Sequence, residues 1–142
     1  MLDKKNIIST MITQHRALQK ELGAIAEILG GSEPDAEKIS QGLVQFKGDL
    51  MEHLDLENNT FYKELLKEMK EKGQNTDKTE QFIAEMDGIG KVVVEFLGKF
   101  ASTQDIESKL DEFKSEFDNI VEVLTLRVES EESGVYAYWG LF

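Results

Sequence analysis

Apolar residues recur along this chain at alternating spacings of three and four, the period of a helix with one buried face. The first stripe runs Ile8, Met11, Leu18, Leu22, Ile25 and Leu29, with His15 in a slot that should be apolar, and it stops at Gly30-Gly31. Ser32 followed by Glu33, Pro34 and Asp35 reads as the start of a second helix: a capping hydroxyl, acids in the first turn, and a proline where its missing N–H does no harm. Its stripe is Ile39, Leu43, Phe46, Leu50, His53, Glu57 and Phe61. Lys70 to Thr79 is polar and carries a glycine and an asparagine, so a loop is expected there. A third stripe follows through Phe82, Met86, Ile89, Val93, Phe96 and Phe100. After a break at Ala101 to Gln104 the fourth runs Ile106, Leu110, Phe113, Phe117, Ile120, Leu124, Arg127, Glu131 and Val135. Four helices with short links predict an all-α, up-down-up-down antiparallel four-helix bundle.

Three of the four stripes are therefore interrupted by groups that are costly to bury unless paired, hydrogen-bonded or bound to a metal. The interruptions are His15, then His53 with Glu57, then Arg127 with Glu131. In the expected bundle they fall near one end, with Met86 on the third helix. His53 and Glu57 are four apart, which stacks them on one face about 6 Å apart along the axis. A weak repeat supports the layout, since a shift of 74 residues aligns HLDLENNTFY with RVESEESGVY, Glu57 with Glu131 and Tyr62 with Tyr136. Two readings stay open from the residues alone. Each histidine is a satisfied core residue, or His15, His53, Glu57 and Glu131 hold a metal.

Composition narrows the choice. At 142 residues the chain fits one domain, residues 1–142, and 40% hydrophobic with 31% charged residues and a single proline suits a water-soluble helical fold. With 28 acidic against 16 basic residues, the formal charge of −12 argues against nucleic acid and anionic membranes as partners. The absence of cysteine removes disulfides, thiolate nucleophiles and thiolate metal sites, and suits a cytoplasmic protein. No stretch among residues 1 to 30 has the apolar core of a signal peptide or membrane span. Nitrogen and oxygen ligands without thiolate suit iron, manganese or zinc. No triad, phosphate loop or dinucleotide fingerprint is present, so an enzyme is not expected.

The segment LMEHLDLENNTFYKELL resembles the histidine-then-glutamate helix of hemerythrin-like HHE domains, with Lys63 where a proline usually follows the aromatic pair. TQHRALQKEL resembles that family's first histidine helix and RVESEESGVY its last, in which Arg127 replaces a histidine. The resemblance implies a four-helix bundle over nearly the whole chain. It makes His15, His53 and Glu57 ligands of one metal, iron first and manganese or zinc as alternatives, with Glu57 and Glu131 able to reach a second. Met86 and Arg127 occupy the second metal's histidine positions, so one liganded metal or none is expected, not an oxygen-carrying di-iron pair.

Two functions follow. One is a small metal-binding sensor or regulatory protein, responding to iron, dioxygen or nitric oxide. The other is a metal-free module that binds a protein partner, with Arg127 substituting for metal charge by pairing with Glu131 and Glu57. A monomer or homodimer fits either. Glu129 and Glu132 read as solvated surface beside Glu131, and the aromatic tail GVYAYWGLF is expected to fold back over the polar layer.

Overall fold

The stripes become helices where expected, with breaks that the periodicity did not show. Residues 4–139 are described by the structure, a computed structural model. They form α1 (Lys4–Leu29), α2 (Ala36–Leu56), a π-helical turn (Glu57–Phe61), α3 (Tyr62–Glu71), α4 (Asp77–Lys99), α5 (Thr103–Ser108), α6 (Leu110–Ser133) and α7 (Val135–Tyr138). There is no strand among the described residues, and no helix among them is long and apolar enough to cross a membrane.

The second helix begins later than its Ser32 signal. Asp35 is the cap, its carboxylate accepting from the backbone N–H of Glu37 and Lys38, a contact worth about 1 kcal/mol. The reason is Pro34, whose ring disfavours the α conformation of the residue before it, so Glu33 cannot open a helix. The expected loop is shorter than Lys70 to Thr79: α3 runs to Glu71 and α4 starts at Asp77. The turn between them uses Gly73 at φ 69°, a left-handed conformation that glycine adopts without strain. The fourth helix starts earlier, capped by Ser102, and is divided at Lys109. Gly88 and Gly90 do not break α4, and a methyl group at Gly90 would only reach ordinary contact with Leu54.

Two apolar clusters hold the helices together. The larger joins Leu18, Leu22 and Ile25 of α1 to Leu43, Phe46 and Leu50 of α2, Val93, Phe96 and Leu97 of α4, and Phe113, Phe117 and Ile120 of α6. Phe96, Phe100, Phe113 and Phe117 form its aromatic spine, with ring centroids 5.0 to 5.7 Å apart. The smaller joins Ile7 and Met11 to Phe61, Tyr62, Leu65, Met69, Val135, Tyr136 and Trp139. Gly42 lets α2 approach α1 closely, because a methyl group there would stand 3.0 Å from Ile25 Cγ1. Ile25 meets Gly42 while His15 meets His53, so α1 and α2 run antiparallel. Lys99 bridges Glu112 and Glu116, and Arg127 faces Glu85, so α4 and α6 do too. His15, His53, Glu57 and Glu131, all buried, lie between the two apolar clusters.

Candidate metal centre

Each of the four buried residues comes from the stripe that predicted it, and the structure brings them together. His15 projects from the middle of α1, His53 from the last turn of α2, Glu57 from the first residue of the π turn and Glu131 from the end of α6. One ligand-type atom from each lies within 4.8 Å of the others. His15 Nε2 is 3.1 Å from His53 Nε2 and 3.3 Å from Glu131 Oε1, and His53 Nε2 is 3.3 Å from Glu57 Oε2.

The far side of each imidazole is anchored. His15 Nδ1 lies 2.9 Å from Glu132 Oε2, and Arg16 grips that carboxylate with both terminal nitrogens. His53 Nδ1 lies 2.7 Å from Gln14 Oε1. A carboxylate and an amide oxygen only accept, so each Nδ1 donates its proton and, in the neutral ring, each Nε2 turns a lone pair into the site. A second partner that fixes the tautomer and orientation is the usual support of a metal-binding histidine.

Two tyrosines complete the cluster. Tyr136 Oη donates to Glu57 Oε2 at 2.9 Å and stands 3.2 Å from His15 Nε2, while Tyr62 Oη donates to Glu131 Oε2 at 3.0 Å. Each tyrosine follows a glutamate by five residues and bonds the glutamate of the other half. In an unbroken α-helix, at about 100° per residue, a side chain five positions on points roughly 140° away. The π turn after Glu57 absorbs one extra residue and returns Tyr62 to the buried face. Gly134 does the same between α6 and α7, where an added methyl group would lie 2.6 Å from the Ser130 carbonyl.

Acceptors outnumber donors in this layer. Two imidazole lone pairs 3.1 Å apart and two carboxylates face only two phenol protons, and Glu57 Oε1 has no hydrogen-bond partner. Burial and the neighbouring Glu57 carboxylate push Glu131 well above the ordinary carboxyl range. Burial pushes Glu57 up too, but Glu131, the adjacent His53 and the Tyr136 hydroxyl outweigh it and hold Glu57 below that range. Without a cation, a proton shared by the two carboxyls meets part of the deficit. Burial holds His15 below its ordinary value, and burial with the two carboxylates holds both phenols protonated. A cleft of about 340 Å³ between α2 and α4, lined by Leu54, Met86, Gly90 and Val94 among others, reaches Glu57 from the surface.

Arg127 does not pair with Glu131 or Glu57 as expected. Its guanidinium stacks over Phe82 and lies 3.6 Å from Glu85 on α4, with Nε unpartnered. Tyr62 and Tyr136, not the arginine, supply the hydrogen bonds to the two carboxylates, and the arginine's field at Glu131 is a minor influence. Met86 is buried on the expected side and lines the cleft. Glu132 is not solvated surface but the anchor of His15. Gln14 and Glu132 carried no signal in the stripes, because each lies one position off the seam; the tyrosines did, through the internal repeat. The tail covers the layer through Tyr136 and Trp139, both buried, whereas Leu141 and Phe142 lie outside the described residues.

The sequence model of the hemerythrin HHE cation binding domain matches residues 6–139. The chain belongs to this family. The match spans both ends of the four-residue cluster, so the hemerythrin-like domain and the His/Glu site coincide. No curated protein and no solved structure matches the chain.

Proposed function

We propose that this hemerythrin-like protein binds one metal ion through His15 Nε2, His53 Nε2, Glu57 and Glu131, iron first and manganese or zinc as alternatives. The reading further takes the chain as a single-domain up-down-up-down bundle and a cytoplasmic sensor or regulatory protein, not an enzyme. One observation carries the metal reading: two imidazoles, each anchored at Nδ1, aim unprotonated Nε2 atoms at each other and at two buried carboxylates. Ligands held at about 2.0–2.2 Å stand roughly 2.8–3.1 Å apart along an octahedral edge and roughly 3.3–3.6 Å apart along a tetrahedral one; the separations of 3.1, 3.3 and 3.3 Å are of that size, and the whole set lies within 4.8 Å.

Iron bound there would supply a one-electron couple and an open position for a small ligand such as dioxygen or nitric oxide. The chain's own residues do the rest. Glu132 and Gln14 orient the imidazoles, Tyr62 holds Glu131, and the apolar clusters on either side exclude water. The cleft at Glu57 is a route by which a small molecule could arrive. Only one metal is proposed, since Met86 offers no nitrogen and Arg127 faces Glu85.

The test is elemental analysis of purified protein, before and after anaerobic reconstitution. About one equivalent of iron, manganese or zinc, lost in His53→Ala, is expected; no stoichiometric metal under either condition sinks the reading. The second reading is a metal-free module for a protein partner, supported by the hydrogen bonds by which Tyr136 and Tyr62 hold the two buried carboxylates. It expects a specific partner in pull-downs, retained by His53→Ala.

A further inference from the structure

Beside the four ligand-type atoms of the cluster lies a fifth potential donor, a phenol oxygen. Tyr136 Oη lies 2.9 Å from Glu57 Oε2 and 3.2 Å from His15 Nε2. Those separations are close to the ones between the imidazoles and carboxylates themselves, so the phenol oxygen stands against two of the four ligand-type atoms, His15 Nε2 and Glu57 Oε2. Its ring is seated against His15, with centroids 5.5 Å apart and planes 14° from parallel, and edge-on to Phe61 at 5.2 Å. Tyr62 is placed differently. Its hydroxyl bonds Glu131 Oε2, the carboxylate oxygen other than the one that faces His15.

The two tyrosines are thus related in sequence but not in role. Gly134 is the reason, because the turn it permits brings α7 back over the site and delivers Tyr136 between His15 and Glu57. With two imidazoles and two carboxylates the cluster would leave a first-row ion one or two positions short of five- or six-coordination.

We propose that Tyr136 is a metal ligand of this site, binding a trivalent ion as phenolate, and that Tyr62 remains a hydrogen-bond donor to Glu131. The inference rests on the metal reading above and adds one oxygen donor to the set His15, His53, Glu57 and Glu131. On binding, the phenol proton leaves to solvent and the Glu57 Oε2 lone pair it occupied becomes free for the ion. A hard anionic oxygen favours ferric over ferrous iron and over zinc.

The experiment loads full-length protein with ferric nitrilotriacetate, removes excess by desalting, and measures iron content, visible absorption and resonance Raman spectra. Expected are one iron per chain, a visible phenolate-to-ferric charge-transfer band, and enhanced tyrosine ring modes that shift with ring-deuterated tyrosine. The chain has three tyrosines, so assignment can proceed from both sides. Tyr136→Phe loses the band, whereas Tyr62→Phe and Tyr138→Phe keep it. Should Tyr136→Phe fail to fold, as judged by circular dichroism, the other two variants still assign the band by elimination. Wild-type protein with stoichiometric iron and no band overturns the inference and leaves the metal reading standing. A band that disappears in Tyr62→Phe or persists in Tyr136→Phe also overturns it. No iron bound by the wild-type protein, with manganese and zinc equally absent, overturns the metal reading and the inference together.

Discussion

Replacing Glu132 should weaken metal binding although Glu132 is not in the ligand set. Its carboxylate accepts from His15 Nδ1 at 2.9 Å and is held from the other side by Arg16. A hydrogen bond to a charged acceptor contributes about 1.5–3 kcal/mol, and losing such an outer partner of a metal-binding histidine typically costs 10–100-fold in affinity. At about 1.4 kcal/mol per tenfold the two ranges agree. Glu132→Gln keeps an accepting oxygen but loses the charge, so about tenfold is expected; Glu132→Ala removes the acceptor and should approach a hundredfold. Zinc is the probe of choice, having no redox chemistry, with affinity measured by competition against a chromophoric chelator. Glu129→Gln, exposed on the same helix, is the control and should leave affinity unchanged. Metal-free stability should fall as well, by about 1–3 kcal/mol in Glu132→Ala, because the buried His15 Nδ1 loses its acceptor, while the half-exposed Arg16 pair is screened and adds little. An affinity for Glu132→Ala within twofold of wild type would refute the positioning argument.

Three further outcomes test other parts of the structure. Gly134→Ala places a methyl group 2.6 Å from the Ser130 carbonyl, so thermal unfolding should report a loss of about 1–3 kcal/mol and near-ultraviolet dichroism a displaced Tyr136 and Trp139; an unchanged melting curve contradicts the close approach. Burial and the adjacent Asp49 raise Glu21 to about 7 from an ordinary 4.5. Since the folded state holds that proton more tightly, its contribution to stability is full below about pH 4.5 and is lost as pH rises through about 7. Glu21→Gln should therefore gain on wild type with rising pH, by about 1 kcal/mol at pH 8 once solvent screening of this partly exposed group is counted, and parallel urea-denaturation profiles from pH 5 to 8 would disprove it. Arg127→Met should cost about 1 kcal/mol in urea denaturation, because its partner Glu85 is exposed; a loss of 3–5 kcal/mol would mean that the arginine does support buried acid.

The site was legible in the sequence wherever a polar residue took an apolar slot. His15, His53, Glu57 and Glu131 were each found this way, since burying an imidazole or carboxylate on a core-facing stripe is unfavourable without a compensating partner. Residues that act from beside the stripe were not. Gln14 and Glu132 sit on helix flanks, where polar residues are expected anyway, and only the packing of α1 against α2 and α6 turns them toward a histidine. Arg127 misled for the complementary reason. It occupies a seam position, but a long side chain can leave the seam, and Phe82 with Glu85 offered it a surface to leave by.

The four helical stretches, their buried faces and the four polar residues of the buried cluster follow from local periodicity and the cost of burying charge, so one chain of letters determined them, though not where each helix starts or breaks. Which atoms face the site did not follow from it. The π turn at Glu57–Phe61 and the break at Gly134 rotate two tyrosines by most of a residue's turn, a change of phase that leaves the spacing of apolar residues almost untouched. Tertiary structure decided that Tyr62 and Tyr136 would cross over to opposite glutamates, that Glu132 would anchor His15, and that Arg127 would turn away. Hydrogen bonds between residues distant in sequence depend on helix phase and separation to within about an ångström, whereas burial depends only on which face is turned inward.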